Sequence, residues 1–206
     1  MSIEKPTNQR VEQGKATRER IVATARKLLA ANGYAGMSIE DVLDDTSISR
    51  GALYHHFNSK EALFEAVLEA MEAEIAQIMG KAAIGLTDPV EALRAAWEAW
   101  FKLARDPAVR QIVLTDALSV VGWEKWREID ERYGFGRLKR TLQRAAAAGR
   151  MQEDLVDTFA HILLAAIFEV GLLIARAEDP EAATATARAA VNHLLDRLLA
   201  QPSAAR

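Results

Sequence analysis

The chain has 206 residues, 50% hydrophobic and 27% charged, with 26 Lys and Arg against 29 Asp and Glu and a net charge of -3. That composition supplies one substantial core or two small ones and excludes an intrinsically disordered chain. The absence of cysteine removes disulfides, thiolate metal sites and cysteine nucleophiles together.

The polar start MSIEKPTNQRVEQGK carries no apolar run, so neither a signal peptide nor an anchor is expected there. The most apolar stretch, Phe159 to Ala175, is 17 residues and includes His161 and Glu169, short of the roughly 20 clean apolar residues of a spanning helix. No membrane partner and a cytoplasmic location are therefore the expectation. Charge is unevenly spread. Arg10, Lys15, Arg18, Arg20, Arg26 and Lys27 face only Glu12 and Glu19 between Arg10 and Tyr34, whereas eight acids oppose Lys81 and Arg94 between Glu61 and Trp100. The asymmetry points to an anion-binding end.

Apolar spacing and capping signals predict helices over 17–32, 39–45, 49–56, 60–80, 89–104, 107–120, 123–148, 153–177 and 180–200. Ser38 followed by Asp41 opens the second as a capping box, and Ser49 caps the third. Asp45-Thr46-Ser47-Ile48 between them is a tight turn, so these two helices form a helix-turn-helix. The leading end of the second member presents Ser49, Arg50, Gly51 and Ala52. Such an end enters the DNA major groove, where Arg donates two hydrogen bonds to guanine and a glycine permits close approach. Farther on, Asp88-Pro89, Asp106-Pro107 and Asp179-Pro180 each mark a helix start, with Asp as N-cap and Pro in the first turn. Gly134 and Gly136 predict a kink or split within 123–148. No stretch alternates in the manner of a strand, so the fold class is all-α.

The run Ser-Arg-Gly-Ala-Leu-Tyr-His-His-Phe (49–57), followed by Ser59-Lys60-Glu61-Ala62-Leu63-Phe64, resembles the signature of TetR/AcrR-type bacterial regulators. The preceding helix is similar too, with Thr17 near its start, Ile21, Ala25 and Leu28-Leu29 spaced along it, and Asn32-Gly33-Tyr34 ending it. The match covers about residues 17 to 68. It implies that Arg50, Gly51 and Ala52 approach base edges, that Ser38, Tyr54, His55 and Lys60 contact phosphates, and that Thr17 adds a contact at the first helix start. Packing is the alternative role for Tyr54. The family usually has glycine where Ser47 stands, so either Ser47 takes a positive φ or the turn differs. His55 and His56 point about 100° apart on a helix and have no second ligand set, which argues against metal.

The resemblance implies three parts: a flexible arm over 1–15, a DNA-binding domain over 16–62, and an effector-binding and dimerisation domain over 63–206 bridged by the helix 60–80. The segment Gly122 to Gly134 resembles a recurring C-terminal subtype of the same family. Within the body, Trp97 with Trp100 and Trp123 with Trp126 are each three apart and share a helix side. They are either core or, with Phe101, the walls of a cavity for a flat apolar, aromatic or cationic molecule. Asp116, His161 and Glu169 lie in apolar runs and either orient that ligand or hydrogen-bond within the protein. The helix 153–177 is apolar nearly all round and needs cover on more than one side. A homodimer through Leu155 to Ala200 supplies it, with Leu163, Ile167, Val191, Leu194, Leu195 and Leu198 at the interface. The functional expectation is a homodimeric repressor on double-stranded operator DNA, released by a small molecule. No cofactor is called for. A small helical enzyme, or a helical ligand-binding or interaction protein that does not bind DNA, are the alternatives. Against the enzyme, no Ser-His-Asp order, paired carboxylate, glycine-rich phosphate loop or metal ligand set stands out.

Overall fold

The computed structural model describes residues 5–199. In chain order the elements are α1 (Lys5–Gly36), α2 (Ile39–Thr46), α3 (Arg50–His56), α4 (Lys60–Ala82), α5 (Pro89–Leu103), α6 (Ala117–Asp130), α7 (Gly136–Ala147), α8 (Val156–Arg176) and α9 (Pro180–Leu198). Wide π-helical stretches at Val109–Asp116 and Glu131–Phe135 lead into α6 and join it to α7. No strand occurs among the described residues, and the all-α expectation holds.

Capping chemistry sets the helix starts. The Asp88 carboxylate accepts from the Val90 and Glu91 amides at 2.7 and 3.3 Å, and the Asp179 carboxylate accepts from Glu181 and Ala182 at 3.0 Å each. Asp106 accepts from Ala108 and Val109 at 2.8 and 3.2 Å. Ser38 and Asp41 close a reciprocal box in which the Asp41 amide donates to Ser38 Oγ at 3.1 Å and the Ser38 amide donates to Asp41 Oδ2 at 2.8 Å. Ser47 takes the left-handed conformation, φ 54°, and is alone among the described non-glycine residues in doing so. The turn therefore keeps the geometry that glycine would give, at a strain of about 1 kcal/mol.

One start and two breaks differ from expectation or refine it. α1 is already helical at Lys5, roughly three turns ahead of the predicted residue 17. Pro6 falls in its first turn, where a missing N–H loses no partner, and nothing as far as Gly33 except Gly14 weakens the helix. The first four residues of the expected arm, and Ala200 at the end of the expected ninth helix, lie outside the described residues. Within α6 the backbone breaks at Gly122, φ 77°, where sequence places the gap between the sixth and seventh helices. The predicted split near Gly134 and Gly136 is the second π-helical stretch.

The buried apolar side chains form one continuous cluster running from Ile21, Leu29, Met37 and Leu53 in the first three helices to Leu163, Val191 and Leu195 in the last two. α4 carries it across, packing on α1 at one end and on α5 and α6 along its length. Of the glutamates on the middle of α4, Glu65 meets Lys125 at 3.1 Å, Glu69 meets Arg132 at 2.6 Å and Glu74 meets Arg26 at 2.6 Å. Glu72 meets no cation. One helical run, Glu153–Arg176, is long and apolar enough to cross a membrane by length and composition, contrary to the shorter stretch read from sequence. Its inner side packs on α5, α7 and α9, yet only 33% of its most apolar window is buried.

Candidate nucleic-acid interface and internal cavity

α2 and α3 are held by Leu53 and Phe57 pointing inward, which turns the opposite side of α3 to solvent. Ser49, Arg50, Gly51, Tyr54 and His55 are all exposed there, Tyr54 by 43%, and Ala52 is half-buried. Ser49 caps the helix, its Oγ accepting from the Ala52 amide at 3.2 Å. Arg50 forms an ion pair with Glu40 on α2, and that hydrogen bond holds the Glu40 carboxyl below the usual carboxylate range. A Cβ added at Gly51 would touch nothing within 4 Å. The fold itself has no need of glycine there, although glycine costs a helix up to about 1 kcal/mol relative to alanine.

The other expected DNA contacts are more constrained. Ser38 is half-buried and its hydroxyl donates to Asp41 at 2.7 Å. Lys60 Nζ lies 4.3 Å from the centre of the Tyr34 ring, a cation–π contact. Thr17 sits well inside α1 and not at a helix start, because that helix begins at Lys5.

The three-helix head is joined to the body at Gly33 and Tyr34. Gly33 takes φ 67°, a conformation that favours glycine, and a Cβ there would fall 2.9 Å from Gln111 Nε2 at the end of its flexible side chain. The Tyr34 amide donates to Asp116 Oδ2 at 2.8 Å, and Gln111 Nε2 donates to the same oxygen at 3.1 Å. Asp116 is thus a strut between the π-helical stretch and the head, not a cavity residue.

Inside the body lies a cavity of about 430 Å³ between α4, α5, α6, α7 and α8. Trp97, Trp100 and Trp126 line it while also belonging to the buried core, so both roles the sequence left open fall on them; Tyr133 and Phe168 complete the aromatic wall. Trp100 is fixed by its Nε1–H, which donates to the Ile167 carbonyl at 2.8 Å. Gly171 makes this seat possible, since a Cβ there would fall 2.6 Å from Trp100 Cζ2. The remaining sequence candidates lie elsewhere. Phe101 is core, 1% exposed, with its ring 6.1 Å from that of Trp97. Trp123 is 60% exposed. His161 is exposed, stacked on Phe135 at 4.5 Å with its Nδ1 2.7 Å from Arg127 Nη2, and Glu169 faces solvent.

Two cavity acids escaped the sequence reading. Glu72 is half-buried on the cavity wall, and burial first and the Asp130 charge second push its carboxyl up to about 8. Burial also raises Asp130, to about 6, against the charge of Arg127. The signal for Glu72 was its place in the series Leu68, Glu72, Ile75 and Met79, which puts a carboxylate on the inward stripe of α4.

The expected interface residues also sort by side. Leu163, Val191 and Leu195 are buried within the subunit, and Leu163 and Ile167 line the cavity. Leu198 is half-buried and Leu194 is 41% exposed. The exposed apolar side chains of α8 are instead Ile162 and Leu173, 50% and 60% exposed.

Comparison with known proteins agrees with this arrangement. Residues 21–67 match the family model for bacterial regulatory proteins of the tetR family, and residues 90–198 match that for the tetracyclin repressor-like C-terminal domain. A TetR-family transcriptional regulator from Pectobacterium atrosepticum superposes with a TM-score of 0.78 at 31% identity, over 93% of this chain and 98% of that one. The transcriptional repressor AcnR of Corynebacterium diphtheriae is 31% identical over 74% of this chain and 77% of its own. The transcriptional repressor NicS of Pseudomonas putida is 28% identical over 78% of each. A helix-turn-helix head with a solvent-facing α3, carried on a helical body that encloses a cavity, thus has the family's sequence match over both parts, and the chain belongs to the TetR family of bacterial transcriptional regulators.

Proposed function

We propose that the protein is a homodimeric repressor that reads a palindromic operator with its two α3 helices and leaves it when a small molecule fills the cavity between α4 and α8. The observation that carries the reading is the leading end of α3. Arg50 and Gly51 are exposed on a rigid, capped helix, and Gly51 serves no packing need of the free chain. Ser38, Tyr54, His55 and Lys60 flank that end as phosphate contacts, with Ser49 and Ala52 at the groove. Dimerisation is supported by the outer stripe of α8, where Ile162, Glu169 and Leu173 follow one another at seven and four residues beside Leu194 of α9. A second copy covers that stripe and sets the two heads about 34 to 36 Å apart, one DNA turn. The effector reading rests on a cavity of about 430 Å³ with aromatic walls, within the usual range for small-molecule sites. A ligand that binds the released conformation more tightly by about 2.7 kcal/mol weakens the operator complex about a hundredfold.

Selection from a pool of random duplexes tests the reading. The expected product is a two-fold symmetric sequence with half-sites one turn apart. Arg50→Ala is expected to weaken that complex by about 1 to 3 kcal/mol and to blur the preference at the base it reads. An unenriched pool would overturn DNA reading, and a monomer by light scattering at micromolar concentration would overturn the dimer.

A further inference from the structure

The effector cavity holds unmet polar groups of a particular kind. Asp130 Oδ2 and Trp126 Nε1 are buried without a hydrogen-bond partner, and Trp126 is only 8% exposed. They stand four residues apart on α6 and so share a side of that helix. Glu72 faces the same space from α4 and meets no cation among the described residues, whereas its neighbours Glu65, Glu69 and Glu74 each have one. A buried carboxylate without a partner is costly to keep, and a charged donor held against it gains more than a neutral one.

The other charged or titratable groups around the cavity are Tyr133, Arg137, Arg140 and Arg144; α5 and α8 contribute none to its lining. The three arginines are exposed, and Arg144 donates to the Leu86 and Thr87 carbonyls. Their charge is hydrated at the rim, while Asp130 Oδ2 is buried and Glu72 is half-buried on the cavity wall.

Resting on the reading of this cavity as the effector site, we propose that the effector is an arylalkyl amine or similar ring-bearing nitrogen compound that is protonated at neutral pH. Its N–H groups are donated to Asp130 and Glu72, its ring lies against Trp97, Trp100 and Phe168, and an acceptor atom on it meets the Trp126 indole N–H. At neutral pH the pair carries close to one negative charge, because Glu72 holds its proton at about 8 while Asp130 has lost its own near 6. A monocation held by Asp130 offsets that charge, and its positive charge beside Glu72 loosens the proton held there, so binding releases part of that proton to buffer.

The test uses the full-length protein and amines of one, two and three rings, each with a neutral isostere and a carboxylate counterpart. Binding is read by quenching of tryptophan emission. The amines are expected to bind roughly ten- to a hundredfold more tightly than their isosteres. Asp130→Asn, confirmed as folded by circular dichroism, is expected to remove most of that difference. Glu72→Gln is expected to abolish the proton release seen by calorimetry in buffers of different ionisation enthalpy. Equal or tighter binding of the isosteres or carboxylates, an amine preference unchanged in Asp130→Asn, or no response at millimolar concentration would overturn the proposal. Operator binding is scored separately by the duplex selection. If a carboxylate releases DNA, the repressor reading stands and the amine falls; if an amine binds to a protein that enriches no duplex, the reverse holds.

Discussion

Gly51 separates what the fold needs from what DNA reading needs. Alanine there meets open space and improves helix propensity by up to about 1 kcal/mol, so Gly51→Ala is expected to unfold at a higher urea concentration than the parent. The same methyl group stands between α3 and the groove floor, and affinity for the selected operator, measured by fluorescence anisotropy, is expected to fall. A variant both more stable and equally tight would show that the helix docks on another side. Glu72 makes the comparable statement about the cavity. Its carboxyl binds a proton more tightly when folded, near 8, than its ordinary value of 4.5. The folded state therefore holds more protons than the unfolded one between those values, and stability falls as pH rises from about 4.5 to 8. Glu72→Gln is expected to flatten that slope and to be the more stable protein at pH 8, by thermal melts across the range. A parallel slope in both proteins would place the carboxyl in water.

At the scale of elements, short-range chemistry is legible and side-to-side packing is not. The Asp-Pro starts, the Ser38–Asp41 box and the breaks at Gly122 and the Gly134–Gly136 region depend on residues within one turn of each other, and the helices begin and break there. The inward side of α8 is another matter. A helix apolar nearly all round gives no periodicity to choose a side, and the expected interface selected Leu163 and Ile167, which face the cavity, over Ile162 and Leu173, which face out. Glu72 and Asp130 belong to different helices, so no local pattern joins them. Gly171 has the same character: nothing near it in sequence explains it, and Trp100 on α5 does. Gly171→Ala is expected to destabilise the protein by about 1 to 3 kcal/mol through overpacking and to displace Trp100 from the Ile167 carbonyl, read by urea unfolding and a shifted tryptophan emission. Unchanged stability would mean that α5 and α8 slide apart freely, against their shared contact in the core.

Across the whole molecule, two physical routes connect the cavity to the head that carries α3, and the proposed release would use them. One is α4, which passes from the head into the cavity wall. The other is the Asp116 strut, whose carboxylate holds the Tyr34 amide at the end of α1. α6 begins at the next residue and, beyond its break at Gly122, carries Trp126 and Asp130, so under the proposed reading a ligand that shifts this segment displaces the group that grips the head. If a cavity ligand alters DNA binding as proposed, the coupling is reciprocal, and DNA binding alters affinity for the cavity ligand by the same factor. That reciprocity allows a test with no effector at all. In a Trp123→Phe background, which removes the 60%-exposed indole, the remaining emission comes from Trp97, Trp100 and Trp126 in the cavity. Adding the selected operator duplex is expected to change that emission. Asp116→Ala is expected to keep DNA binding within severalfold, to speed hydrogen exchange at the Tyr34 amide, and to lose most of the optical response. If the response survives while Tyr34 exchanges freely, α4 alone carries the signal and the strut only steadies the head.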